Sequence, residues 1–159
     1  IATGSSRHKL QAAHAAGADH LLQVQEGAAG LAGEVKRLTD GRGADVVFDP
    51  VGGDLFDASV HCMAWGGRLL VIGFAGGRIA TLPSNLALIK GFSVVGVRAG
   101  EYGRRDPARG EENRRAVEAL AAQGLFRPTI GARFAFEQAR EAYRALAARQ
   151  VAGKIVLQM

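Results

Sequence analysis

The sequence holds one cysteine, Cys62, among 159 residues. A lone thiol excludes an internal disulfide and any multi-cysteine metal cage. Aromatic residues make up only 6%. That is too few to interleave a basic surface with the stacking platforms that single-stranded nucleic acid needs. No apolar run approaches the roughly 20 residues that span a bilayer, so no membrane contact is expected. Ile1 opens directly into strand-like sequence without the basic, apolar and small-residue progression of a secretory leader. The chain reads as soluble and cytoplasmic. A Gly-x-Ser-x-Gly elbow, a His-Glu-x-x-His pair, Cys/His metal spacing and a phosphate-loop lysine are all missing as well.

What is present describes a folded core. Hydrophobic residues are 48%, charged residues 22% and mean hydropathy is +0.04. The formal net charge of +5 is unevenly placed. Much of the excess lies in Arg98, Arg104, Arg105, Arg109, Arg114 and Arg115. Such a cluster can attract phosphates, but it reads first as a solvated loop and helix face. His8, His14, His20 and His61 have no motif partners and read as surface or packing residues, and Cys62 as an inert thiol inside a helix.

Strand-like and helix-like segments alternate. Residues 1–4, 20–24, 45–49, 68–73 and 92–97 read as strands, the last three as buried ones. Helices are expected after Ser5 or Ser6, near 31–39, over 53–64, over 107–123 and over 137–149. Pro128 makes 125–130 a linker, and 154–157 a last strand. The pattern predicts an α/β, doubly wound parallel sheet with a boundary near residue 124.

Open α/β sheets bind ligands at the carboxyl ends of their strands. Four turns lie there: Gly4-Ser5-Ser6-Arg7-His8-Lys9, Asp49-Pro50-Val51-Gly52-Gly53, Ile72-Gly73-Phe74-Ala75-Gly76-Gly77 and Val97-Arg98-Ala99-Gly100. The first has no acid to hold a ribose 2′-hydroxyl. It offers hydroxyls, Arg7 and Lys9 beside a helix start, a receptor suited to a 2′-phosphate. Each glycine turn alone is also consistent with a plain reverse turn.

The runs 40–53 (DGRGADVVFDPVGG), 66–74 (GGRLLVIGF), 82–97 (LPSNLALIKGFSVVGV) and 153–157 (GKIVL) resemble the medium-chain dehydrogenase/reductase superfamily. The likeness is strongest to its zinc-independent NADPH:quinone oxidoreductase branch. The resemblance implies a Rossmann-like sheet of order 3-2-1-4-5-6, entered here at its second strand, without the first strand and its glycine-rich loop. Residues 1–124 would then be an incomplete nucleotide-binding domain, and 125–159 a return segment of the catalytic domain. It implies NADPH as cofactor, held by Gly4, Ser5, Arg7 and Lys9 at the adenosine phosphate and by Val24, Val51 and Gly52 along the adenosine. Ile72, Gly73, Phe74 and Ala75 would approach the nicotinamide ribose, and Val97, Arg98 and Ala99 the carboxamide. The implied reaction is hydride transfer to a quinone or other conjugated carbonyl, and the implied assembly a homodimer through Phe92–Val97. No metal is expected, and no catalytic residue is assigned. Tyr102, as a proton donor reaching the cleft, and Lys154, as a further cofactor contact, are weaker candidates. The 159 residues alone are expected to be inactive. An enoyl-thioester reductase of the same superfamily is the alternative. A zinc alcohol dehydrogenase fits the motifs less well, and an RNA-binding module would need aromatics beyond the single Tyr102 in the arginine cluster.

Overall fold

The computed structural model describes residues 1–25 and 27–159 in full and Glu26 through its backbone. Strand β1 (Ala2–Gly4), helix α1 (Arg7–Ala15) and strand β2 (Leu21–Gln23) come first. They are followed by α2 (Leu31–Leu38), β3 (Ala44–Asp49), α3 (Gly53–Val60), β4 (Met63–Val71), α4 (Ser84–Lys90) and β5 (Ser93–Gly96). Helices α5 (Ala99–Arg105) and α6 (Pro107–Ala122), strand β6 (Ile130–Ala135), helix α7 (Ala139–Ala147) and strand β7 (Lys154–Gln158) complete the chain. It divides into two compact units: Leu22–Gly100 with Ile1 and Thr3, and Gly4–Leu21 with Ala2 and Glu101–Met159.

The first unit is built on a parallel sheet of order β3-β4-β5. Strand alternation sends Val47, Leu69 and Val71 to one face, where they pack with Phe56 and Val60 of α3, Phe92, and Leu86 of α4. A second cluster joins Leu31 and Val35 of α2 to Cys62. On the opposite face of β3, Val46 is 47% and Phe48 66% exposed. This corrects the expectation that 45–49 is a buried strand. Among the described residues no strand pairs with the outer side of β3. Strand β5 is the other edge, and Val94, Val95 and Val97 are more than a third exposed.

Helix α3 also ends earlier than expected, at Val60, and Cys62 lies in the turn that follows. Ala44 donates its N–H to the Cys62 carbonyl at 2.8 Å, which draws Met63 into the ladder opposite Ala44. The register then jumps to Val46 opposite Arg68. Residues 64–67 thus stand opposite Asp45 alone in a bulge, with Gly66 at φ +74° and its N–H donating to the Gly91 carbonyl. Cys62 is 2% exposed, and burial raises its thiol pKa. The folded state therefore favours the neutral thiol: this contribution to stability is intact below the ordinary thiol range and fades as pH rises past it. The native protein should resist a water-soluble disulfide reagent at pH 8 and react with one equivalent once unfolded. Fast stoichiometric labelling of the folded protein would contradict this burial.

Strands β1 and β2 form a separate two-stranded sheet, and in the second unit Ala2 donates to the His20 carbonyl at 2.8 Å. Helix α6 begins as expected, with Asp106 accepting from the Arg109 N–H at 3.0 Å and proline at its first position. Helices α5 and α6 approach closely where Gly103 faces Gly110; a Cβ on Gly110 would lie 2.7 Å from the Gly103 Cα. Strand β6, which the sequence did not announce, takes Ile130 from the end of the expected 125–130 linker and pairs parallel with β7 across α7. Gly131 allows that pairing, since its Cβ would fall 1.9 Å from the Ala152 oxygen.

Candidate functional site

Parallel strands end together, so the β3–α3, β4–α4 and β5–α5 turns lie side by side in the first unit. The backbone ladder runs on past the strands. Ile72 N–H donates to the Asp49 carbonyl at 3.0 Å, Ala75 to Pro50 at 3.1 Å, Gly76 to Val51 at 2.9 Å, and Val97 to Val71 at 3.0 Å. Val51, Gly52, Ile72, Gly73, Phe74, Ala75 and Val97 are thus brought together. Arg98 is exposed, and Ala99 begins α5, a helix the sequence reading took for a turn.

Asp49 organises the first turn, a role the sequence reading missed. Only 5% exposed, it accepts at Oδ1 from the N–H groups of Val51 (2.8 Å) and Gly52 (2.9 Å). An Asp preceding Pro-x-Gly is an Asx-turn signal that was legible. Gly52 follows at φ 72°, ψ −157°, a region that only glycine occupies freely. A Cβ there would meet the Arg78 carbonyl and the Phe74 ring, each at 3.2 Å. At Gly73 it would lie 3.2 Å from the Pro50 oxygen, and at Gly76 3.0 Å from the Val51 oxygen. These glycines let two turns pack against each other, which presents Phe74 and Ala75 as an exposed rim. The second missed residue is Arg78. Its Nη2 donates to Asp54 Oδ1 at 2.7 Å and to Asp57 Oδ2 at 2.5 Å on α3, and these partners hold its guanidinium firmly protonated. No sequence signal marks a pair whose members stand 21 and 24 positions apart.

Val24 lies half-buried against the Leu31–Val35–Cys62 cluster. Gly4, Ser5, Arg7 and Lys9 belong to the second unit. Gly4 packs over Leu10, its Cβ position 3.4 Å from Leu10 Cδ2. Ser6 is the N-cap of α1, but its side chain makes no capping bond. No acid pairs with Arg7 or Lys9 among the described residues. The arginine cluster behaves differently. Arg105 pairs with Glu101, Arg109 with Glu112, and Arg114 with Glu111 and Glu118 along α5 and α6. Tyr102 stands half exposed on α5, and Lys154 is exposed at the start of β7.

A family profile described as zinc-binding dehydrogenase matches residues 16–157. The chain belongs to this family. It resembles quinone oxidoreductase-like members of the medium-chain dehydrogenase/reductase superfamily. This zinc-binding dehydrogenase chain is 36% identical to rat quinone oxidoreductase-like protein 2 over all of its 159 residues, which is 45% of the rat protein. It therefore spans about half the length of the curated relatives it matches. Among solved structures, a probable oxidoreductase from Mycobacterium abscessus superposes with a TM-score of 0.82 at 33% identity, over 100% of this chain and 46% of that one. A mycobacterial protein complexed with NADPH gives 0.83 at 29%, over 99% and 49%. The fold is thus the Rossmann-type α/β arrangement the sequence implied.

The family's zinc finds no seat in these residues. Among the described residues no three of His, Cys, Asp and Glu gather as a metal would require, and the one thiol is packed among apolar side chains. No helix there is long and apolar enough to cross a membrane.

Proposed function

We propose that this chain is the cofactor-binding half of an NADPH-dependent, zinc-independent oxidoreductase that transfers hydride to a quinone or other conjugated carbonyl. The observation that carries the reading is the row of turns at the carboxyl ends of β3, β4 and β5, locked by a shared backbone ladder. The rat relative's name and the NADPH complex of the mycobacterial neighbour support it. The acid-free Gly4–Lys9 segment supports NADPH in particular. When bound, NADPH supplies the hydride from its nicotinamide. The residues of this chain position that ring and keep water away. Ile72, Gly73, Phe74 and Ala75 form a wall beside the nicotinamide ribose, Val97, Arg98 and Ala99 lie at the carboxamide, and Val24, Val51 and Gly52 line the adenosine side. Gly4, Ser5, Arg7 and Lys9 hold the adenosine ribose and its phosphate.

Residues 1–124 form the nucleotide-binding part, and 125–159, with the β6–α7–β7 unit, return to the catalytic domain. A lone buried thiol suits a reducing compartment, and we place the enzyme in the cytoplasm. The 159 residues include no glycine-rich pyrophosphate loop, so by themselves they should neither bind NADPH at micromolar affinity nor turn over. The test is quinone-dependent NADPH oxidation by the full-length enzyme, followed at the nicotinamide absorbance. Absence of both NADPH binding and oxidation across a panel of quinones and enones would refute the assignment.

Homodimerisation through Phe92–Val97 belongs to the same reading. Strand β5 is an uncharged sheet edge with Val94 and Val95 partly exposed, a liability unless another strand covers it. Symmetric pairing would cover it isologously. Light scattering at micromolar concentration should report a dimer, and Val95→Lys should shift it to monomer. A monomeric wild type would overturn the assembly.

A further inference from the structure

We propose that Arg78 is a positioning residue: by bridging Asp54 and Asp57 it holds the Gly73–Gly77 turn against the Gly52–Gly53 turn, and so fixes the Phe74–Ala75 rim at the nicotinamide end. The cofactor part of this inference rests on the functional reading above. On the incoming side of the turn Ile72, Ala75 and Gly76 are tied by backbone bonds to Asp49, Pro50 and Val51. The chain then reverses at Gly77, whose N–H donates to the Phe74 carbonyl at 2.9 Å and whose φ is +89°. Beyond the reversal the backbone hydrogen bonds to the sheet stop. Ile79 is 69% exposed, and residues 78–82 belong to no helix or strand. Among the described residues, the Arg78 side chain supplies the polar ties between this outgoing segment and the rest of its unit, at 2.7 Å to Asp54 and 2.5 Å to Asp57.

Contact geometry makes the tie consequential. The Cβ position of Gly52 lies 3.2 Å from both the Arg78 carbonyl and the Phe74 ring, and that of Gly53 lies 3.6 Å from Arg78 Cβ. Moving Arg78 away from α3 therefore releases the packing that sets Phe74. All three charged side chains are about half exposed, so global stability should change little without them. A guanidinium fits this place better than an ammonium, because a single planar group reaches two carboxylates on one helix face.

The test uses the full-length enzyme and two independent readouts. Arg78→Ala should speed hydrogen exchange in peptides covering 72–78 about tenfold and leave the melting temperature nearly unchanged. It should raise the KM for NADPH on the order of tenfold, below the roughly hundredfold that a 1 Å misplacement can cost. The change in kcat should be smaller. Arg78→Lys should recover part of both effects, and Asp54→Asn combined with Asp57→Asn should reproduce the alanine variant. Unchanged exchange in Arg78→Ala would overturn the proposal, since the turn would then be held without it. Faster exchange with an unaltered KM, in an enzyme that oxidises NADPH, would overturn the cofactor role and leave the functional reading standing. A wild type that does not bind NADPH would overturn that reading and the cofactor role together, while exchange would still decide whether Arg78 holds the turn.

Discussion

Replacing Arg7 and Lys9 together with alanine is expected to lower the NADPH-over-NADH ratio of kcat/KM in the full-length enzyme by tenfold or more. The two cofactors differ by one 2′-phosphate, a group of nearly two negative charges. The segment that receives it in the proposed site carries two cations, hydroxyls of Ser5 and Ser6, and no acid between Ile1 and Ala18. Helix α1 begins at Arg7, and its first N–H groups are not capped by the Ser6 side chain. They remain donors that favour an anion. A hydrogen bond to a charged group contributes roughly 1.5–3 kcal/mol. Solvent discounts this at Arg7, which is exposed, more than at Lys9, which is half-buried. One retained contact at the low end still gives about tenfold. The comparison needs initial rates with both cofactors for the wild type, each single variant and the pair. Equal kcat/KM values in the wild type, or a double variant that keeps its selectivity, would remove the 2′-phosphate from this segment.

The sequence made some elements legible and hid others, for reasons visible in the contacts. Asp106-Pro107 announces α6 because capping is local chemistry, carried by neighbours in the chain. The β-branched run 44–49 announces β3 for a similar reason. Its burial was misread because alternation shows which residues share a face, not whether anything covers that face. Strand β6 was hidden by Pro128 and Gly131. It exists because β7, more than twenty residues later, supplies its hydrogen bonds. The end of α3 was set from outside as well, by the bond from Ala44 to Cys62. At the candidate site the same division holds. The glycine turns and the acid-free segment could be read directly. Arg78 could not, because its meaning depends on two carboxylates brought up by α3. The glycines themselves proved to serve turn-on-turn packing, and their absent side chains leave room for neighbouring backbone.

A large effect on stability is expected at Gly52, where the two turns of the candidate site meet. Alanine there must adopt φ 72°, ψ −157°, which costs about 1–3 kcal/mol in strain alone. Its Cβ must also enter a space bounded at 3.2 Å by the Arg78 carbonyl and the Phe74 ring. Backbone oxygen cannot step aside as a flexible side chain can, so one of the two turns must move. We expect Gly52→Ala to destabilise the protein by roughly 2–4 kcal/mol, the strain plus a steric part. For a chain of this size that is a drop in melting temperature of about 5–15 °C. Gly77→Ala separates the two causes. Gly77 also has positive φ, +89°, but a Cβ there meets nothing within 4 Å, so only strain should remain, about 1 kcal/mol. Asp49→Ala tests the same turn from its acceptor. It strands the Val51 and Gly52 N–H groups at a buried site, at about 1–3 kcal/mol for an unsatisfied group. Asp49→Asn keeps an oxygen there and should lose less. Denaturant titration of the four variants should show Asp49→Ala less stable than Asp49→Asn and, against Gly77→Ala, rank Gly52→Ala as the more destabilised. If it unfolds within about 0.5 kcal/mol of wild type, the ordinary range for an inconsequential surface change, then the two turns do not meet as described, and the site built on their contact falls with them.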